Sequence, residues 1–304
     1  MDPSPAQRGA LTEAKGIAAT MPDMLVEARR VANTVLAGWH GRRASGRGET
    51  FWQFRPFVSG EAAASIDWRR SARDEHLFVR ETEWEAAHTL WLWPDLSASM
   101  NFRSRLATVS KRRRAIVLTL ALAELLATAG ERVGIPGAGK PILSRNAAER
   151  LALTLAVEPP GGRGADAAAP DTRPLRPFHD LVVFSDFLDP VGEIDALLAR
   201  IQQTGARAHL VQVIDPSEES FPYSGRTEFV DLETGVRHLA TRAELYRGEY
   251  HARLDALRAH LSAANHRAGW TFLVHRTDRP ATEPLLAIHA RLADRHANRA
   301  GHAA

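Results

Sequence analysis

Two acidic residues directly follow apolar, strand-like segments of the chain. Asp95 begins the pattern Asp-Leu-Ser-Ala-Ser, whose hydroxyl groups belong to Ser97 and Ser99, and Asp186 begins a second acidic turn. Carboxylate and hydroxyl oxygens are the ligands that hard cations such as Mg²⁺ or Mn²⁺ take in proteins. The alternative for these residue types is structural, because Asp and Ser also cap helices and start loops. The pattern makes Asp95, Ser97, Ser99 and Asp186 candidate ligands of a divalent cation.

The elements that must position these residues alternate between strands and helices from residue 88 onward. Apolar strands are predicted over residues 88–94, 180–185 and 208–214, with a long helix over residues 109–129. Strands separated by helices indicate a parallel sheet with helices on both faces. Ligands of such sheets bind outside the carboxyl ends of the strands, where Asp215 presents a third carboxylate.

The residues before this sheet are expected to form a separate segment. A helix is predicted over residues 22–37, a glycine- and arginine-rich loop over 38–48, and an aromatic strand over 51–58. We therefore expect two domains: residues 1–87, with a helix and strands, and residues 88–304, an α/β domain.

The composition is that of a globular protein. The chain has 304 residues, of which 44% are apolar and 25% are charged, and its net charge is +3. The absence of cysteine excludes disulfides, thiolate metal sites and a cysteine nucleophile. No secretory signal and no apolar stretch long enough to span a bilayer is visible, which predicts a cytoplasmic protein.

A basic run opens the long predicted helix, with Lys111, Arg112, Arg113 and Arg114 in succession. Cations at a helix N-terminus oppose the macrodipole, so their position invites an explanation. Two interpretations stay open: a solvated turn whose arginines cover apolar neighbours, or a surface for an acidic partner. A nucleic-acid adaptor using this patch is a further alternative, although we expect no nucleic-acid partner.

An ordered series of motifs carries a family resemblance. The motifs are Phe54-Arg-Pro-Phe-Val-Ser-Gly-Glu61, Ile66-Asp-Trp-Arg-Arg-Ser-Ala-Arg73, Leu77-Phe-Val-Arg-Glu-Thr-Glu83, Val183-Phe-Ser-Asp-Phe-Leu-Asp189 and Val213-Ile-Asp-Pro-Ser-Glu218. Over roughly residues 38–240 the series resembles the bacterial family known as domain of unknown function 58. The pattern from Asp95 to Ser99 resembles the metal-ion-dependent adhesion site (MIDAS) of von Willebrand factor A domains.

The resemblance implies a von Willebrand A-like, Rossmann-like fold and metal-assisted protein binding, often beside MoxR-type AAA+ ATPases in a chaperone-like assembly. By position, the residues from Asp95 to Ser99 match the first metal loop and Asp186 matches the third. The second loop of the family normally supplies a threonine. Ala165 stands at that position here, and Asp166 is an additional candidate ligand.

An enzyme is the alternative function, namely a metal-dependent phosphoester hydrolase centred on Asp95. The pattern lacks a second nearby carboxylate to act as general acid or base, and no nucleophile elbow is visible. We therefore expect no catalytic residues and no cofactor other than Mg²⁺ or Mn²⁺.

Overall fold

A computed structural model describes residues 5–39, 51–58, 61, 66–74, 76–82, 88–157 and 169–300. The chain divides into two compact units, Met1–Gly38 with His88–Ala304, and Trp39–Ala87. The helices and strands, in chain order, are α1 (Pro5–Trp39), β1 (Phe51–Pro56), α2 (Trp68–Ser71), β2 (Phe78–Thr82), β3 (Thr89–Pro94), α3 (Lys111–Ala129), β4 (Arg132–Gly134), α4 (Ala147–Val157), β5 (Asp180–Ser185), α5 (Val191–Gln203), β6 (Arg207–Ile214), α6 (Pro216–Ser220), β7 (Thr227–Val230), β8 (Arg237–Ala240), α7 (Arg247–Arg267), β9 (Thr271–Arg276) and α8 (Thr282–Ala300).

The larger unit is built on a five-stranded parallel sheet with the order β4-β3-β5-β6-β9. All six residues of β3 and all six of β5 are buried. Successive side chains of a strand point to opposite faces of the sheet, so complete burial means that both faces are covered. This arrangement confirms the predicted Rossmann-like α/β fold with flanking helices.

Helix α3 lies in the core, and fifteen of its residues are buried, from Lys111 to Ala127. The side chain of Ser110 caps it by accepting a hydrogen bond from the Arg113 backbone N–H, and Gly130 ends it in the left-handed region with φ 76°. A helix that is apolar around its whole circumference must be covered on all sides.

Helix α1 packs in the same core. Met21, Met24, Ala28, Ala32 and Val35 recur at spacings of three and four residues, which form one face of a helix, and all five are buried. This corrects two expectations, since the helix begins long before residue 22 and belongs with the sheet. The predicted domain of residues 1–87 therefore does not describe α1.

The smaller unit contains an antiparallel pair, β1 with β2. Asp67 caps the short helix α2, because its carboxylate accepts hydrogen bonds from the backbone N–H groups of Arg69 and Arg70. The Arg70 guanidinium lies 4.8 Å from the ring centre of Phe78, a cation–π contact. The strand–helix–strand order of this unit agrees with the predicted strand-rich segment.

Among the described residues, no helix combines the length and the apolar character needed to cross a membrane.

A buried cluster of one aspartate and two histidines lies at the amino end of the sheet, where β3, β5 and β6 begin. Nε2 of His88 lies 2.7 Å from Oδ2 of Asp180, and Nε2 of His209 lies 3.4 Å from Oδ1. Burial by itself would raise the pKa of Asp180. The hydrogen bonds and charges of His209 and His88 outweigh burial and hold that pKa well below its usual range.

We expect Asp180→Asn to lower the free energy of unfolding by about 3 kcal/mol at pH 7, because it leaves a buried cluster without its anion. The folded-state pKa of Asp180 is depressed, so this stabilisation is complete above the unfolded-state value, about 3.9, and is lost as pH falls below it. Urea unfolding at several pH values measures both effects.

The matched control is Asp195→Asn, which removes a half-exposed pair with His260 at 2.7 Å and should cost under about 1 kcal/mol. If Asp180→Asn lowered the free energy of unfolding by the same amount at pH 7 and pH 3, the result would contradict stabilisation by the ionised Asp180 carboxylate.

Candidate functional site

The carboxylate of Asp95 is held rigidly at the carboxyl end of β3. It is 1% exposed, and its backbone N–H donates to the Phe184 carbonyl at 2.8 Å. Oδ2 accepts a hydrogen bond from Ser185 Oγ at 2.6 Å, and Oδ1 accepts one from the Ser97 N–H at 2.8 Å. Burial raises the pKa of Asp95 to about 6, against these hydrogen bonds, and the negative charge of Asp186 adds to the effect.

The two serine hydroxyl groups converge beside Asp95. Oγ of Ser97 and Oγ of Ser99 lie 3.2 Å apart, and both residues are half-buried. One turn after β3 therefore presents one carboxylate and two hydroxyls. The predicted ligand Asp186 is buried at the end of the neighbouring strand β5, close enough for its charge to act on Asp95.

A buried ammonium group pairs with the acidic end of β5. Nζ of Lys111 donates hydrogen bonds to Asp186 Oδ2 at 2.8 Å and to Glu218 Oε1 at 2.5 Å, and the lysine is 1% exposed. Burial by itself would lower the pKa of Lys111. The charges of Asp186 and Glu218 raise it, so the side chain stays cationic.

Asp215 has a structural role at the third strand end. Its carboxylate accepts hydrogen bonds from the N–H groups of Ser217 at 2.8 Å and Ser104 at 2.9 Å. Glu218 Oε2 in turn accepts from the Asp215 N–H at 2.9 Å, which completes a capping box at the start of α6. The capping box places Glu218 against Lys111, and its Asp-x-x-Glu spacing is the sequence signal that would have identified Glu218.

A further acidic side chain, that of Glu233, reaches the serine turn, which is the turn after β3 that contains Ser97 and Ser99, from the hairpin β7–β8. The Ser99 backbone N–H donates to Glu233 Oε1 at 2.7 Å. Between the hairpin and the sheet edge lies a cavity of about 550 Å³, whose lining includes Ser99, Lys111, Asp186, Asp189 and Glu233. Sequence reasoning missed Glu233, because no local pattern connects residues 134 positions apart.

The donor set of this edge suits a hard cation. Asp95, Asp186 and Glu218 place three carboxylates against the single ammonium of Lys111, and Asp95 is bonded by a hydroxyl and an N–H group, both neutral donors. Uncompensated negative charge is costly in a buried site, and burial accordingly raises the pKa values of Asp95 and Glu218. Within the described residues, no group of three or more His, Cys, Asp or Glu side chains is placed to hold a metal. Hydroxyl ligands would therefore have to contribute.

Asp166 and Ala165, the residues predicted for the second metal loop, lie outside the described residues. Their contribution to the site stays a prediction.

The basic run at the start of α3 is not an exposed patch, which corrects both open interpretations, the solvated turn and the candidate partner-binding surface. Lys111, Arg112 and Arg114 are at most 8% exposed. Arg112 donates to the Asn101 side chain and Arg114 to the Thr277 carbonyl, while the half-exposed Arg113 pairs with a glutamate. Three of the four cations make contacts within the protein. The hypothesis of a nucleic-acid adaptor needed these side chains on the surface, so the structure does not support it.

Comparison with known proteins gives a family match. The model of the family described as "Protein of unknown function DUF58" matches residues 53–260. The uncharacterized proteins Mb1516 of Mycobacterium bovis and Rv1480 of Mycobacterium tuberculosis are each 28% identical to the chain over 284 residues, which cover 90% of the chain and 88% of each relative. The crystal structure of the conserved hypothetical protein BatB from Bacteroides thetaiotaomicron aligns with a TM-score of 0.36 and 12% identity, covering 69% of this chain and all of BatB.

We expect Lys111→Gln to lower the free energy of unfolding by about 3–5 kcal/mol, because it leaves two carboxylates in a buried site without their cation. Urea denaturation measures the loss as a lower midpoint of unfolding with an unchanged m-value. The control is Arg113→Gln in the same helical turn, which removes a half-exposed pair with Glu27 and should cost under about 1 kcal/mol. Equal losses in the two variants would contradict the central role of Lys111.

Proposed function

The chain belongs to the DUF58 family, and from this premise we propose that it is a non-catalytic protein-binding module with an adhesion-type site for Mg²⁺ or Mn²⁺. The ligands are Asp95, Ser97, Ser99 and Asp186. The observation that carries the proposal is the convergence of the Asp95 carboxylate and two serine hydroxyls at the carboxyl edge of a parallel sheet.

The charge balance supports a cation at this position. Lys111 offsets part of the charge of Asp186 and Glu218, whereas the hydrogen bonds of Asp95 come from neutral groups. The bound ion supplies positive charge and an open position toward which an acidic side chain of a protein partner is attracted. Asp166 would add a ligand from the second loop.

The environment of Asp95 argues against a role for this residue as a covalent nucleophile. Both carboxylate oxygens accept short hydrogen bonds, and the residue is 1% exposed. A nucleophile needs an oxygen that a substrate can approach, whereas a ligand or anchoring group needs fixed geometry. The hydrogen bonds thus favour Asp95 as a ligand or anchoring group over Asp95 as a nucleophile.

The proposed partner is a MoxR-type AAA+ ATPase or one of its client proteins, in a chaperone-like assembly. The support for this partner is the ordered series of family motifs, from Phe54 to Glu218, together with the family match. A cytoplasmic location stays a prediction.

We expect Mg²⁺ and Mn²⁺ to bind the wild-type protein saturably and with one site in a calorimetric titration, because the site combines hard oxygen donors with excess negative charge. Asp95→Asn should lose this binding, since it removes one carboxylate charge from the ligand set. The control is Asp278→Asn, which changes another aspartate just past a strand, paired with Arg276 at 2.6 Å. It should leave metal binding unchanged, and a heat signal that survives in Asp95→Asn would contradict the assigned ligands.

Absence of catalysis is a separate expectation. With Mg²⁺ present, para-nitrophenyl phosphate should not be turned over above the uncatalysed rate. Turnover by the wild-type protein that disappears in Asp95→Asn and persists in Asp278→Asn would establish the hydrolase instead.

A further inference from the structure

The hairpin β7–β8 carries an acidic side chain into the serine turn of the candidate site. Glu233 Oε1 accepts a hydrogen bond from the Ser99 N–H at 2.7 Å, although 134 positions separate the two residues. Ser99 is also a member of the converging hydroxyl pair, with Ser97 Oγ at 3.2 Å from its own Oγ. A carboxylate of this chain therefore already lies beside the proposed ligands.

The turn of the hairpin is built to present Glu233. Asp231 Oδ1 accepts a hydrogen bond from the Glu233 N–H at 2.9 Å, and Oδ2 accepts one from Thr234 Oγ1 at 2.5 Å. The Gly235 N–H donates to the Asp231 carbonyl at 2.8 Å, and Gly235 has φ 73°, a conformation that glycine adopts without strain. The glutamate thus projects from a defined loop.

The hairpin is packed through Phe229 of β7 and exposed at its turn. The Phe229 ring lies 5.7 Å from the ring of Phe221 and 5.3 Å from that of Tyr223. Residues 231–239 are all exposed, and the cavity of about 550 Å³ runs along β7 and the first turn residues up to Glu233. Exposure of the turn would let Glu233 leave Ser99 while the aromatic contacts of Phe229 hold β7.

The charges around the contact make it easy to reverse. Asp189, which lines the same cavity, is acted on by the negative charges of Asp186, Asp95 and Glu233. Glu233 therefore brings one more negative charge to an acidic edge. Its hydrogen bond to the neutral Ser99 N–H opposes that repulsion, so the net free energy of the contact is the difference between the two and a competing carboxylate can replace Glu233.

We infer that Glu233 is an internal ligand, which occupies the carboxylate-accepting position at Ser99 and keeps the site closed until a partner displaces the hairpin tip. The external ligand that fits this position is an acidic side chain on a protein. The identity of the competing group rests on the proposed function, whereas the contact between Glu233 and Ser99 does not require a metal. The exposed apolar residues Leu232 and Val236 flank Glu233, so a partner surface that engages them can draw the tip away.

The first test is amide exchange of Ser99, measured by ¹⁵N NMR in the full chain. Glu233→Ala should accelerate this exchange about tenfold, as loss of a hydrogen bond to a charged acceptor implies. The matched control is Glu228→Ala, which removes an exposed acidic residue of the same hairpin, paired with Arg237 at 3.4 Å. It should leave the exchange of Ser99 within about twofold of wild type, and Ser99 exchange that is equal in all three proteins would overturn the inference.

The second test titrates acetate, as a carboxylate probe, into the same three proteins with and without Mg²⁺, following the Ser99 amide shift. If Glu233 occupies the position nine-tenths of the time, Glu233→Ala should bind acetate about tenfold more tightly than wild type. Equal acetate affinities would overturn the inference.

A parallel calorimetric titration with Mg²⁺ separates the two proposals. Tighter acetate binding by Glu233→Ala without any Mg²⁺ binding would support Glu233 as an internal ligand and contradict the proposed metal site. Mg²⁺ binding together with equal acetate affinities would support the proposed metal site and contradict Glu233 as an internal ligand.

Discussion

The buried ion pair of Lys111 organises the acidic edge of this protein. Its ammonium lies between Asp186 at the end of β5 and Glu218 in α6, so one side chain ties the start of α3 to two other elements. A helix N-terminus is an unfavourable place for a cation, and a buried charge is costly unless it is paired. The two carboxylates offset both costs, because they bring negative charge to the helix N-terminus and pair with the buried ammonium. Without them the ammonium of Lys111 would be a buried charge with no counter-ion.

The edge remains acidic because the ammonium of Lys111 offsets only part of its negative charge. The ammonium offsets one negative charge of the three carboxylates, while Asp95 is held by Ser185 and Ser97. An edge with surplus negative charge attracts a cation, and a bound cation attracts a further carboxylate. The hairpin places the Glu233 carboxylate at hydrogen-bond distance from the Ser99 N–H, beside the proposed ligands. The proposed metal binding, the proposed partner binding and the inferred closure by the hairpin would therefore all depend on the same electrostatic balance.

The predicted elements and the predicted contacts differ in how well they agree with the structure. Strands β3, β5 and β6 lie within a residue of their predicted bounds, because apolar runs between turn residues are a local signal. From the sequence, the basic run is either a solvated turn or a surface for an acidic partner, because charge runs are usually solvated. Three of its four members are buried, since their partners come from other parts of the chain.

The sequence by itself determined the alternation of strands and helices, the parallel sheet that follows from it, and the position of Asp95, Ser97 and Ser99 at a strand end. These features depend on periodicity and on turns of a few residues. Only the tertiary structure decided that α1 packs in the core, that Lys111 meets residues 75 and 107 positions away, and that Glu233 reaches Ser99. Such contacts depend on how distant segments are brought together by packing, and no local pattern encodes that geometry.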